Sequence, residues 1–404
     1  MAEPIIRFRN NHSDWDRFVI DDVFELRNGY TPSKNVNQYW ENGVIPWFRM
    51  EDIRANGGIL SDSIQHITPQ AVKGGGLFVP YSIILATTAT IGVHAMVIAD
   101  SLANQQFTNF SIRKSLIDKY DSYFIYYAFY KIDEWSLKNT NSGGLLSVDI
   151  KGLLKQPFLT PSKTEQQQIA SYFKSLDILI QSATKKIASL KQLKSASLIS
   201  MFPQEGEVKP RVRFKGFKED WKNVSFIDIT YRTGIKNGEN LPLESYSISN
   251  EFGFIPQNEQ FENGGTMFSA DKRMYYIVSP KSFAYNPARI NVGSLGYYNG
   301  KKEVIVSSLY EVFKTNDLIE DQFLLCWFKT DIFQKMIEQY QEGGVRLYFF
   351  YDKLCKCTIK IPSLQEQRQI ASFFCSLDKQ ISLETQRLDK FKQIKSACLD
   401  KMFV

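Results

Sequence analysis

The string Asn286-Pro-Ala-Arg289 comes nearer to a catalytic turn than anything else in this 404-residue chain. An Asn/Asp-Pro-Pro-aromatic turn can hold an extruded base for methyl transfer, the amide bonding its edge and the ring stacking on its face. Here the second proline and the aromatic are both missing, so that chemistry is not expected. Phosphate cradling fails as well. Gly300-Lys301 is followed by Lys302 where a P-loop needs Ser or Thr, and Leu295 stands where its first glycine belongs. The three histidines, His12, His66 and His94, are scattered and form no triad with a serine. His94 lies among apolar residues and reads as a satisfied structural histidine. The five cysteines (Cys326, Cys355, Cys357, Cys375, Cys398) are odd in number and contain no CxxC pair. A disulfide framework and a Cys/His zinc site are therefore not expected, and a reducing cytoplasm fits. Cys355 and Cys357 alternate in what reads as a strand before Pro362. No catalytic residue and no metal ligand is expected in this chain.

What must position any functional side chain is a repeat. The segment Pro161-Ser-Lys-Thr-Glu-Gln-Gln-Gln-Ile-Ala recurs as Pro362-Ser-Leu-Gln-Glu-Gln-Arg-Gln-Ile-Ala. The offset of 201 residues continues without a gap to Met201-Phe202 and Met402-Phe403, with 22 of 42 aligned positions identical. Each half also opens alike, with Arg7-Phe8 to Asp14-Trp15 matching Arg213-Phe214 to Asp220-Trp221. Ser162 with Glu165, and Ser363 with Glu366, form S-x-x-E capping boxes that start helices. Apolar residues then recur at Ile169, Phe173, Leu176, Ile180, Ile187 and Leu190. The second copy gives Ile370, Phe374, Leu377, Ile381, Leu388 and Phe391. This is heptad spacing, sustained too long for an ordinary core helix, and predicts two long helices that pack on each other.

The rest of the chain reads as two mixed α/β (α+β) domains, giving 1–160, a helix over 161–205, a second domain over 206–361 and a helix over 362–404. Strands are expected at Ser82-Ile-Ile-Leu85 and Val304-Ile-Val306, and helices within Tyr120–Trp135 and Ile319–Tyr340. The globular parts barely resemble each other. Thr88, Thr90, Ile91 and Gly92 fall against Arg289, Asn291, Val292 and Gly293, and Gly143-Gly144 answers Gly343-Gly344. No apolar run is long enough to span a membrane and the first residues carry no secretory signal. A net charge of +6 leans toward an anionic partner. Copied helices with divergent domains suit two different ligands of one kind, and a bipartite, asymmetric DNA site meets that description.

These features resemble the DNA-specificity subunits of Type I restriction-modification systems. The resemblance covers essentially the full length. It is carried by Pro-x-x-x-Glu-Gln-x-x-Ile-Ala at Pro161–Ala170 and Pro362–Ala371, each followed by Leu-Asp. In the first domain, Asn28-Gly-Tyr-Thr-Pro-Ser33, Tyr39-Trp-Glu-Asn-Gly43 and Ile45-Pro-Trp47 resemble the opening of target-recognition domains. The second departs from it with Thr233-Gly-Ile-Lys-Asn-Gly238, and matches better at Tyr285–Gly293 and Val306-Ser307. The resemblance implies that each domain reads half of a split DNA sequence. It also implies that the helices form an antiparallel coiled coil setting the unread gap, and that two modification (methyltransferase) subunits dock. Restriction subunits then join, and S-adenosylmethionine, ATP and Mg act on partner subunits, with no cofactor in this chain. The alternatives are a structural coiled-coil protein with two ligand-binding domains, or a combined restriction-methyltransferase enzyme.

Candidate DNA contacts are long donors and small polar residues in glycine-bearing loops. In the first domain these are Lys34, Arg49, Arg54, Lys73, Thr87, Thr88 and Thr90. In the second they are Lys272, Arg273, Asn286, Arg289, Asn291, Lys301, Lys302, Arg346 and Tyr348. The plain alternative for each is a solvated charge or a turn residue. Arg289 is the expected base reader and Lys301 an expected phosphate contact. Outside the helix seam, Glu165, Gln166, Gln168, Ser171 and Asp177 recur as Glu366, Gln367, Gln369, Ser372 and Asp378. Seam packing does not demand these identities, so they are the expected docking residues for two identical partners.

Overall fold

The structure is a computed structural model, and it describes residues 4–9, 11, 13–141, 146–260 and 271–404. Gly143-Gly144 lies outside the described residues. The chain divides into two compact units, Met1–Thr184 with Gln386–Val404, and Lys185–Thr385.

In the first unit a sheet runs in the order Phe24–Asn28, Phe107–Ile112, Ser82–Ala86, His94–Val97 and Ile59–Leu60, antiparallel except for the last pair. Ser82–Ala86 is apolar along most of its length because both of its faces are covered. Ile83 and Leu85 join Phe24, Phe110, Phe124 and Phe129 in one core, while Ile84 and Ala86 join Trp47, Phe48 and Phe107 in another. The helix Ser122–Lys138 closes the first core. It starts where the Asp121 carboxylate accepts from the backbone N–H groups of Tyr123 and Phe124. A ribbon of Asp16–Val19 with Pro157–Thr160 ties the start of the domain to its end.

In the second unit an antiparallel sheet runs in the order Thr230–Arg232, Glu311–Thr315, Ser282–Tyr285 and Leu295–Tyr298. This is the order of the first four strands of the other unit, element for element. The ribbon recurs as Lys222–Ser225 with Thr358–Ile361. Phe283 and Tyr285 again point into one core and Ala284 into another. The stretch expected to be helical, Ile319–Tyr340, holds two helices, Asp321–Trp327 and Asp331–Tyr340, and between them the Thr330 hydroxyl bonds back to the Trp327 carbonyl. Cys355 and Cys357 are not in a strand. Cys355 ends the short helix Tyr351–Leu354, and Cys357 is buried just before Thr358–Ile361.

Two long helices, Lys163–Ser200 and Leu364–Met402, match the predicted pair. In the first unit the start of one lies beside the end of the other, with the rings of Phe173 and Phe403 5.7 Å apart. The second unit repeats this with Phe202 and Phe374 at 6.2 Å. Both pairings are antiparallel, as expected. Ile169, Phe173, Leu176, Ile370, Phe374 and Leu377 are buried, whereas Ile180, Leu190, Ile381, Leu388 and Phe391 are half-buried. Among the described residues no helix is long and apolar enough to cross a membrane.

Candidate nucleic-acid interface

The second unit holds an open cleft of about 1030 Å³ at one end of its four-stranded sheet. Five chain segments line it: the end of Thr230–Arg232, Tyr276 of the strand Tyr276–Val278, the turn after Ser282–Tyr285, the approach to Glu311–Thr315, and the stretch from Val345 to Phe350. The turn is built by Asn286, whose side-chain oxygen accepts from the Ala288 N–H at 3.0 Å while its carbonyl accepts from the Arg289 N–H at 3.0 Å. Gly293 closes the turn at φ +91. In the last segment Glu342 and Tyr348 exchange backbone hydrogen bonds at 2.9 and 2.8 Å. Gly343 sits at φ +139, and a Cβ there would stand 2.1 Å from the Arg346 carbonyl oxygen, so only glycine fits. The rings of Tyr348 and Phe350 stack at 5.4 Å.

Three arginines (Arg232, Arg289, Arg346) and one carboxylate (Glu311) line this cleft, leaving two positive charges in excess. Arg232 Nη2 lies 2.9 Å from Glu311 Oε2, and the guanidinium sits 5.2 Å from the Tyr351 ring centroid. Burial raises the Glu311 carboxyl above its usual range, opposed chiefly by the charge of Arg232. Among the described residues Arg289 and Arg346 make no ion pair with a carboxylate.

Five of the nine expected contacts of the second domain meet here: Asn286, Arg289, Asn291, Arg346 and Tyr348. Lys272, Arg273, Lys301 and Lys302 do not line the cleft. Arg273 folds onto Asp271 at 2.7 Å, and Lys301 and Lys302 are exposed on the turn after Leu295–Tyr298. Sequence reasoning missed Arg232 and Glu311. A sequence signal for the first was present: Arg232-Thr-Gly234 resembles Arg27-Asn-Gly29 on the equivalent strand, although the strand register sets Arg232 at the place of Leu26.

In the first unit the turn after Ser82–Ala86 occupies the equivalent place. Thr87 is turned inward at 5% exposure, its hydroxyl 2.9 Å from that of Thr108, which donates to Asn28. It serves the sheet and is not placed to reach a ligand. Thr88 and Thr90 remain half-buried at the surface, Thr88 bridging Ser147. Arg27 donates to the carbonyls of Gly75 and Gly76 and lies 4.8 Å from the Phe78 ring centroid, so it holds the glycine loop that carries Lys73. Lys73 in turn lies over Tyr30 at 4.8 Å. Lys34 is exposed in a turn and Arg54 on the helix Met50–Asn56. Arg49 is half-buried, its guanidinium 5.9 Å from the Trp47 ring centroid.

Most of the expected docking residues have internal partners instead. Glu165 is 2% exposed and takes two hydrogen bonds from Arg7, at 2.9 and 2.7 Å; Glu366 is 1% exposed and takes two from Arg213, at 2.6 and 2.8 Å. The capping boxes are consequently half made. Ser162 and Ser363 accept from the backbone N–H groups of Glu165 and Glu366, but the glutamates face the arginines. Gln166 accepts from the Asp121 N–H and donates to the carbonyls of Lys119 and Pro161. Gln367 accepts from the Glu320 N–H and donates to those of Leu318 and Pro362. Asp177 and Asp378 pair with Lys395 and Lys194 of the opposite helix. The recurrence of these six residues is thus explained by folding. Gln168, Ser171, Gln369 and Ser372 stay exposed, with Gln168 accepting from Asn11.

Elsewhere His94 is bonded at both ring nitrogens, to Asp133 and to the Tyr126 carbonyl. Burial pushes the Cys326 and Cys357 thiols up to about 12, which suppresses the thiolate. Among the described residues no three His, Cys, Asp or Glu side chains gather as a metal site would require.

Comparison with known proteins gives matches to both halves. The family described as "Type I restriction modification DNA specificity domain" matches residues 12–192 and again 218–393. The Type I restriction enzyme EcoprrI specificity subunit of Escherichia coli is 50% identical over 139 residues, 34% of this chain and 34% of that protein. The Type I restriction enzyme MjaIX specificity subunit of Methanocaldococcus jannaschii is 32% identical over 185 residues, 45% of this chain and 42% of that protein. The chain therefore spans a third to less than half the length of these curated relatives in each alignment. The crystal structure of the Type-I restriction-modification system S subunit from M. genitalium covers 100% of this chain and 99% of its own, with a TM-score of 0.61 at 16% identity. That last likeness concerns the fold. The two segments matched by the family model, one on each repeated frame, establish that the chain belongs to the Type I restriction modification DNA specificity family.

Proposed function

We propose that this chain is the DNA-specificity subunit of a Type I restriction-modification complex, reading a bipartite, asymmetric site on double-stranded DNA. One observation carries the reading. Two strand frames of identical order present unlike residues at the same turn, Thr88 and Thr90 in one and Arg289 and Asn291 in the other. A shared frame suits a shared duplex geometry, and unlike side chains suit unlike bases. The excess positive charge and the neutral amides of the second cleft fit the same ligand. In the first unit, Lys73, held over Tyr30 beside the loop clamped by Arg27, is the corresponding cationic contact.

The chain's part is recognition, and the chemistry belongs to its partners. Two modification (methyltransferase) subunits, binding S-adenosylmethionine, dock on repeated surfaces. With six of the ten recurring polar residues engaged internally, the exposed Gln168, Ser171, Gln369 and Ser372 are the docking candidates. Restriction subunits using ATP and Mg join the assembly, which works in the cytoplasm. The test is direct: duplex binding titrated against salt. A DNA-reading complex loses affinity steeply as salt rises and discriminates one duplex from others, whereas an interaction protein does neither.

A further inference from the structure

The cleft of the second unit contains one feature that phosphate binding does not explain. Arg232 is compensated by a carboxylate. A phosphate clamp gains from uncompensated charge, and a half-buried glutamate 2.9 Å away both cancels that charge and repels the phosphate. A base reader gains from the opposite arrangement, a guanidinium held in one orientation with donors to spare and little net charge.

Arg232 meets that description. Its side chain is 56% exposed at the cleft, yet its plane is fixed from two sides, by Glu311 through Nη2 and by the Tyr351 ring. Nε and Nη1 have no hydrogen-bond partner among the described residues. Glu311 is itself held, 14% exposed, at the start of a central strand, so the pair is anchored to the sheet. Arg289 and Arg346 are exposed as well, but among the described residues neither forms an ion pair with a carboxylate, and both sit on turns and not on a strand.

We infer that Arg232, oriented by Glu311, is the guanine-reading residue of the second half-site, while Arg289 and Arg346 hold phosphates. This rests on the DNA-specificity reading above. It moves base reading from Arg289, where sequence placed it, to a residue on a strand end. Guanine is the base concerned because its O6 and N7 are the adjacent major-groove acceptors that an arginine fork matches. Glu311 acts as a positioning residue, its carboxylate accepting from Nη2 and leaving the remaining donors for the base.

The experiment uses the full chain assembled with a modification subunit, on duplexes carrying its methylated sequence. Each guanine of the second half-site is replaced in turn by 7-deazaguanine, which lacks the N7 acceptor. The wild-type complex is expected to lose roughly tenfold in affinity at one guanine. Arg232→Ala is expected to bind the guanine and 7-deazaguanine duplexes equally. Arg232→Lys should not restore the difference, since an ammonium supplies charge without the fork. Glu311→Gln is expected to shrink the difference between the guanine and 7-deazaguanine duplexes at that base pair and to leave discrimination at every other base pair unchanged. The inference is overturned if Arg232→Ala remains sensitive to 7-deazaguanine, if Arg232→Lys restores wild-type discrimination, or if the second half-site contains no guanine. A wild-type complex that discriminates no duplex would instead overturn the DNA-specificity reading itself.

Discussion

Lys395 donates to Asp177 at 2.5 Å, joining two helices across 218 residues of sequence. Tyr127 donates to the same carboxylate at 2.8 Å. The repeat makes the contact again: Lys194, which is Lys395 moved back by 201 residues, pairs with Asp378, which is Asp177 moved forward by as many. A duplicated helix that packs antiparallel on its own copy makes each interhelical contact twice. Asp177→Lys and Asp378→Lys should therefore lower thermal stability and leave partner binding affected only through that loss. About 1 kcal/mol is expected for Asp378, whose side chain is half exposed, and more for Asp177, where Tyr127 also loses its acceptor. Lys395→Asp combined with Asp177→Lys should recover most of the loss. Unchanged melting of the single variants, with loss of partner binding, would return these aspartates to the docking surface.

The two arginine–glutamate pairs are placed to cost much more. Glu165 and Glu366 are nearly inaccessible, and removing either carboxylate takes the charge partner from a half-buried arginine. Glu165→Ala and Glu366→Ala should each cost about 3–5 kcal/mol. Ser162→Ala and Ser363→Ala should cost about 1 kcal/mol, because a serine cap satisfies one backbone donor only. Urea denaturation of the four variants reads the difference directly. Equal costs for serine and glutamate would mean that the capping role dominates.

The helices were legible because their pattern is periodic and repeated. Ile169, Phe173 and Leu176 recur as Ile370, Phe374 and Leu377, and burial follows both sets. The matching sheet order was not legible, because a strand frame asks only for alternating apolar residues. Ile83 and Leu85 do the work of Phe283 and Tyr285 without resembling them. The site was half legible. Asn286, Arg289 and Asn291 share one short turn, and Arg346 and Tyr348 share another, so loop composition pointed to them. Glu311 could not be found this way, since its importance comes from lying beside Arg232, 79 residues away. The polar recurrences misled for a related reason: a buried pair such as Arg7 and Glu165 looks in sequence like two surface charges.

Arg289 and Lys301 separate two kinds of cationic contact from base reading. Arg289→Ala and Lys301→Ala should each weaken binding to all duplexes alike and flatten the dependence of log affinity on log salt by about one unit. Arg289 lines the cleft and Lys301 stands outside it, so the larger loss is expected for Arg289. Salt titrations on a target duplex and on single-base-pair variants make the comparison. Loss of discrimination at one base pair in Arg289→Ala would give that residue back the reading role.

The central claim is that two independent readers share one chain. The most direct test is the methylation motif in DNA of cells that express this chain with a modification subunit, measured before and after residues 214–361 are replaced by the corresponding domain of another family member. The account predicts a split motif of two unlike halves, with the exchange altering the bases of one half and leaving the other half unchanged. A single uninterrupted motif, or both halves changing together, would contradict it.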